Sequence, residues 1–104
     1  MLKIPNKITI GGQDIEIKRV ERSDNNSVGL ANIYSGYIEI ADKFNKDDVQ
    51  SESCKVNTFY HELTHSILDT MGRDDLSKDE VFVNCFAGFL TEAMKDAYFV
   101  NQQK

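Results

Sequence analysis

The residues best suited to chemistry form one pentapeptide, His61-Glu62-Leu63-Thr64-His65, which matches the pattern H-E-x-x-H. Residues four apart lie one turn apart on the same face of an α-helix, so the two imidazoles can converge on a single Zn²⁺ ion. Glu62 projects about 100° round the helix from His61, close enough to reach a water molecule at the metal without being a ligand. The motif therefore predicts a zinc site with Glu62 as general base. The alternative is that both histidines are ordinary polar groups on a partly buried helix.

A catalytic zinc site usually has three protein ligands and keeps a fourth position for water, so a third ligand is needed. Glu80, fifteen residues after His65, is the favoured candidate, in the arrangement HExxH-x14-E. Glu80 also fits the N3 position of a capping box that begins at Ser77, and Asp79 is a second candidate ligand. Asn84, one turn beyond Glu80, either holds the second ring nitrogen of His61 or is a solvated helix position.

Two helices must position these residues. Apolar residues recur every three or four positions from about Asp47 to Gly72, and Gly72 suits the position after a helix end; the recurring residues are Val56, Phe59, Tyr60, Leu63, Ile67 and Met71. A second helix is predicted from Ser77 through Ala97, with Ser77 and Glu80 as capping box. Its aromatic side chains are expected in the core: Phe82, Phe86 and Phe89.

The first forty residues show the period of two that is typical of strands. Ile8 and Ile10 precede the turn Gly11-Gly12, and a second turn is expected around Ser35-Gly36. The sequence therefore predicts an α+β fold: a small, mostly antiparallel sheet of two hairpins, followed by two packed helices. With 104 residues and no linker or repeat, residues 1–104 are expected to form a single domain.

Composition narrows the function classes. The net charge of -5 disfavours electrostatic binding to nucleic acid or to an anionic membrane. The first residues lack the apolar region of a signal peptide, and no apolar run is long enough to span a bilayer, so a soluble, intracellular protein is expected. Cys54 and Cys85 are expected to be reduced thiols in the core.

The motif and its surroundings resemble a known family. His61–His65, Gly72, and the Asp79-Glu80 pair with Phe86-Ala87 six residues beyond it are similar to the small phage and prophage minimal zincins, relatives of the ImmA/IrrE metallopeptidase group, over roughly residues 28 to 95. The resemblance implies that His61, His65 and Glu80 bind zinc and that Glu62 is the base. It also implies a sheet of few strands against the two helices, with the substrate lying along an edge strand. ImmA/IrrE members usually carry further helices around this core.

These observations predict a cytoplasmic zinc endopeptidase with one Zn²⁺ per chain and a protein or peptide substrate, located in the host cytoplasm if it is phage-encoded. The alternative from another class is a non-catalytic, regulatory zincin-fold module that binds a protein, in which the metal only stabilises the core. A purely structural protein without metal is the third hypothesis. The presence of Glu62, which a structural metal site does not need, favours the enzyme.

Overall fold

The computed structural model describes residues 4–22, 27–45, 47–95 and 97. The elements of this part of the chain follow the α+β order that the sequence predicted, with the strands first and the helices after them. They are β1 (Lys7–Ile10), β2 (Gln13–Val20), β3 (Gly29–Asn32), β4 (Tyr37–Ala41), α1 (Glu52–Thr70), α2 (Asp74–Ser77) and α3 (Glu80–Lys95). No described helix is long and apolar enough to cross a bilayer.

The four strands form one sheet in the order β1-β2-β4-β3. β1 pairs antiparallel with β2, and β3 pairs antiparallel with β4. β2 and β4 are parallel, with Ile17 opposite Ile38. The pair is parallel because the chain leaves one strand position empty after β2, forms β3 beyond it, and returns as β4 to fill the gap. The sheet is thus mixed, and the predicted mostly antiparallel arrangement did not include this central pair.

One face of the sheet holds the core. Alternate residues of the two central strands are almost fully buried, and α1 adds an aromatic ring to them; the cluster is Ile15, Ile17, Ile38, Ile40 and Phe59. The period of two places these side chains on the same face, toward α1. Each buried isoleucine contributes about 1.5–3 kcal/mol, so this layer is a main attachment between helix and sheet.

Both ends of α1 are set by local hydrogen bonds. The helix begins at Glu52 instead of near Asp47, because the Ser51 hydroxyl accepts a hydrogen bond from the Cys54 amide at 3.1 Å and caps it there. At the other end Gly72 has a φ of 77°, as the sequence predicted for a residue that ends a helix. The amides of Gly72 and Arg73 bond to the carbonyls of Asp69 and Leu68, which is the Schellman arrangement.

α1 lies close against the edge strand β3. A Cβ atom on Gly29 would lie 2.6 Å from Thr58 Cγ2 and 3.0 Å from Glu62 Cγ, so only glycine permits this approach. The buried side chain of Gln50 fixes the start of the helix: it donates to the Ala41 carbonyl at 2.6 Å and accepts from the Thr58 hydroxyl at 3.0 Å. Glu62 is held against the sheet edge as a result.

The start of α3 differs from the prediction. Asp79, not Ser77, caps this helix, since its Oδ1 accepts a hydrogen bond from the Phe82 amide at 3.1 Å. Ser77 instead ends the short helix α2. The predicted capping box is therefore wrong. Glu80 becomes the first residue of α3 and is not engaged in capping.

α3 also exposes side chains that the sequence placed in the core. Phe86 and Phe89 are 47% and 71% exposed, whereas Phe82 is half-buried. The buried positions of this helix are the small Val83 and Ala87, which face α1 and leave the aromatic side outward. Cys54 and Cys85 are free thiols but both are exposed, so their expected place in the core is wrong.

Candidate metal centre

α1 and α3 bring together the three side chains that the sequence proposed as ligands. His61 and His65 lie on α1, with ring centroids 4.9 Å apart, and Glu80 faces both from the first turn of α3. His61 Nε2 lies 3.6 Å from Glu80 Oε1, and His65 Nε2 lies 3.6 Å from Glu80 Oε2. One ligand atom from each of the three residues lies within 4.8 Å of the others.

These distances fit a small tetrahedral cation. Zinc bonds to nitrogen and oxygen of 2.0–2.1 Å require ligand atoms about 3.4 Å apart at tetrahedral angles. Each histidine Nε2 lies 3.6 Å from one oxygen of Glu80, that of His61 from Oε1 and that of His65 from Oε2. Two imidazole nitrogens and one carboxylate are also the donor set of many catalytic zinc sites. The Glu80 side chain is 61% exposed, so the site opens toward solvent. The three residues could thus hold Zn²⁺ and leave it accessible.

Each histidine ring has a second partner. His65 Nδ1 lies 3.0 Å from Ser77 Oγ, and the Asn84 side chain lies beside the ring of His61, where both line the same space. With Nε2 as the ligand atom, Nδ1 of His65 carries the proton and donates to the hydroxyl. Asn84 had been weighed for this contact from the sequence. Ser77 had not, because its pattern favoured a capping role and the contact depends on where α2 folds.

The electrostatic surroundings favour the neutral form of His61. Burial lowers its pKa from the ordinary value of 6.5, and the neighbouring His65 lowers it further. Glu80 and Asn84 act in the opposite direction but do not reverse the shift. Neutral imidazole is the form that binds a metal ion, so His61 is prepared for ligation near neutral pH.

Glu62 lies between this triad and the edge of the sheet. It is only 8% exposed, and its Oε2 would lie 3.1 Å from a Cβ on Gly29 of β3. Burial, and to a smaller extent the negative charge of Glu80, together raise the pKa of Glu62 from 4.5 to about 7. A carboxyl group with this pKa can both accept and release a proton near neutral pH, which is what a general acid–base requires.

The neighbouring acidic residues, including the second candidate ligand Asp79, are engaged elsewhere. Asp79 caps α3 with its Oδ1. Asp75 forms a two-pronged pair with Arg73, at 3.0 Å and 2.9 Å, which lowers the pKa of Asp75 to about 2. Among the described residues, His61, His65 and Glu80 form the one cluster of three His, Cys, Asp or Glu side chains with metal-binding spacing.

Comparisons with known proteins identify no relative. No protein-family model, no curated protein and no solved structure matches this chain significantly.

Proposed function

We propose that this chain is an intracellular zinc-dependent endopeptidase of the minimal zincin type, with one Zn²⁺ bound by His61, His65 and Glu80 and with Glu62 as general base. The observation that carries the proposal is a triad of two imidazoles and one carboxylate, with ligand atoms within 4.8 Å of one another, beside a buried carboxyl group. The three ligands by themselves would suit a structural zinc site equally well. The adjoining buried carboxyl group, which a structural metal site does not need, is what favours catalysis.

Bound in this site, zinc would acidify a water molecule and polarise the carbonyl of the scissile peptide bond. Glu62 accepts the proton of the attacking water on its carboxylate and later returns it to the leaving nitrogen. Its buried position against Gly29 keeps the carboxylate from rotating away and excludes bulk water from one side. Ser77 holds the imidazole of His65 at its second nitrogen, and Asn84 lies beside the ring of His61.

The position of β3 supports a peptide as substrate. β3 is the edge strand of the sheet next to α1, and its first residue, Gly29, lies against Glu62. An extended peptide that pairs with the outer edge of β3 would pass directly by the general base. This is the arrangement that the resemblance to minimal zincins implies.

A specific observation favours a second candidate, a protein-binding module without catalysis. α3 exposes the apolar side chains of Val81, Phe86 and Phe89 on a small, acidic protein. Such a face is typical of a surface that another protein covers. In that case zinc would stabilise the fold and Glu62 would be dispensable.

Zinc titration with metal analysis tests the metal centre. The native protein should retain about one equivalent of zinc, and adding a chelator should lower its melting temperature, because the ion binds the folded state alone. The variant His65→Ala should lose both the bound zinc and the chelator effect. A native protein that binds no zinc after titration would exclude the peptidase and the zinc-stabilised module together.

A further inference from the structure

α1 and α3 pack side by side but do not close completely. They leave a cleft with a volume of about 490 Å³ along the side of the helix pair that leads away from the metal centre. The cleft exists because α3 has small residues there: Gly88 has no side chain, and a Cβ at this position would meet no atom within 4 Å. Val56 of α1 and Gly88 and Thr91 of α3 line the cleft, and Glu52, Glu92 and Lys95 contribute charges to it.

A second, smaller space adjoins the metal centre itself. It has a volume of about 220 Å³ and is lined by His61 and Glu62 together with Val28, Asn57, Thr58 and Asn84. Asn57 lines both spaces, and its Oδ1 accepts a hydrogen bond from Thr91 on the opposite helix at 3.3 Å. The two spaces are therefore neighbours that meet at the Asn57–Thr91 contact.

The walls of the smaller space indicate what it would accept. Besides His61 and Glu62, none of its lining residues carries an ionisable group. Thr58 uses its hydroxyl to donate to Gln50, so it offers no free proton here. Asn57 and Asn84 supply amide groups, which can donate and accept hydrogen bonds, and Val28 supplies an apolar wall. Such a space suits a small, uncharged polar side chain.

We propose that the α1–α3 cleft binds one side of an extended peptide substrate, with the side chain next to the scissile bond in the smaller space. That side chain would be uncharged and polar, such as serine, threonine, asparagine or glutamine. The rise of α3 from Asn84 to Lys95 is about 16 Å, enough for about five extended residues. This inference rests on the proposed peptidase function and defines its substrate class.

A randomised decapeptide library, with products read by mass spectrometry, tests the smaller space. The native protein with zinc should cleave next to uncharged polar residues at one fixed position. Asn57→Leu replaces an amide by an apolar group, so the preference at that position should shift toward aliphatic residues at unchanged zinc content. An identical cleavage profile for the native protein and Asn57→Leu would overturn the assignment of the smaller space.

Gly88→Leu tests the cleft. The leucine enters open space on a helix and improves helix propensity, so the variant should fold and bind zinc. Filling the cleft should raise KM for decapeptides about tenfold, with kcat changed much less. Ala93→Leu, at an exposed position of the same helix outside the cleft, is the matched control. Equal KM values for the two variants would overturn the cleft as a binding site.

A binding readout separates this inference from the proposed function. The Glu62→Gln variant with zinc is titrated with the same decapeptides, and binding is followed by NMR shifts of α1 and α3 amides. Binding that Gly88→Leu abolishes, without cleavage by the native protein, would support the cleft and contradict the peptidase. Cleavage that neither Gly88→Leu nor Asn57→Leu alters would support the peptidase and contradict the cleft. Neither binding nor cleavage would contradict both.

Discussion

Neutral partners hold the two histidines of the candidate metal centre. Ser77 contacts Nδ1 of His65, and Asn84 contacts His61. A ligating imidazole is oriented through its second nitrogen, so the Ser77 contact directs Nε2 of His65 toward Glu80. Neither partner is charged, and the negative charge of the ligand set therefore comes from Glu80 alone. The site depends strongly on this carboxylate.

The Ser77 contact leads to a prediction about metal affinity. Ser77→Ala removes the hydroxyl that fixes the His65 ring, and zinc affinity should fall about 10- to 100-fold while the fold is retained. Competition with a chromophoric chelator measures this. Ser35→Ala, in the exposed turn before β4, serves as control and should bind zinc like the native protein. Equal affinities for the two variants would mean that Ser77 does not orient the ligand.

Glu80 and Asp79 can be distinguished by two isosteric changes. Glu80→Gln removes the charged ligand and should weaken zinc binding more than about 100-fold, beyond the usual effect of an outer partner. Asp79→Asn should change zinc binding little, because asparagine is an equally good N-cap. Equilibrium dialysis against buffered zinc gives both constants. Greater damage from the Asp79 change would show that the ligand had been assigned to the wrong carboxylate.

Among the helices and strands, the sequence predicted the features that depend on local signals, such as the end of the motif helix. Gly72 was correctly predicted to follow the end of the motif helix, because the left-handed conformation after a helix favours glycine. The start of α3 was not predicted, since Ser77 and Asp79 are both good caps and only the packing of α2 against His65 selects between them. The four residues of α2 are too few to show periodicity.

The exposure of the aromatic side of α3 could not be predicted from the sequence either. Periodicity identifies the apolar side of a helix, but not whether another element covers it. Phe86 and Phe89 share such a side and lie outside the core, because Val83 and Ala87 make the contact with α1. The parallel pairing of β2 with β4 could not be predicted from the sequence either. Turn signals indicate only which consecutive strands form a hairpin.

Two glycines provide a matched test of the helix geometry. Neither Gly72 nor Gly88 would bring a Cβ within 4 Å of another atom, but Gly72 alone has a positive φ, of 77°. Gly72→Ala should therefore destabilise the protein by about 1 kcal/mol, and Gly88→Ala should stabilise it by about 0.5–1 kcal/mol. Urea denaturation measures both. Stabilisation by Gly72→Ala would contradict the ending of α1 described above.

At the scale of the whole molecule, the raised pKa of Glu62 links stability to pH. The folded state of the metal-free protein holds this proton up to about pH 7, whereas the unfolded chain releases it near 4.5. The contribution of Glu62 is therefore fully present below pH 4.5 and is lost as the pH rises through 7, by about 3 kcal/mol at most. Glutamine mimics the protonated form, so metal-free Glu62→Gln should be more stable than the native protein at pH 8.

Urea denaturation of both metal-free proteins at pH 5 and pH 8 measures this difference. The comparison cancels the opposite contribution of His61, whose lowered pKa favours the folded state as the pH rises. If the difference between the two proteins is the same at both pH values, Glu62 does not titrate in the folded state as described.

The central claim is that zinc held by His61, His65 and Glu80 works with Glu62 to hydrolyse peptides. Its most direct test is the rate of decapeptide cleavage by the native protein and by Glu62→Gln at equal, measured zinc occupancy. Glutamine keeps the size of the side chain but cannot accept the proton, so the rate should fall by about two orders of magnitude or more with zinc still bound. Equal rates for the two proteins, or no cleavage by a fully zinc-loaded native protein, would contradict the claim.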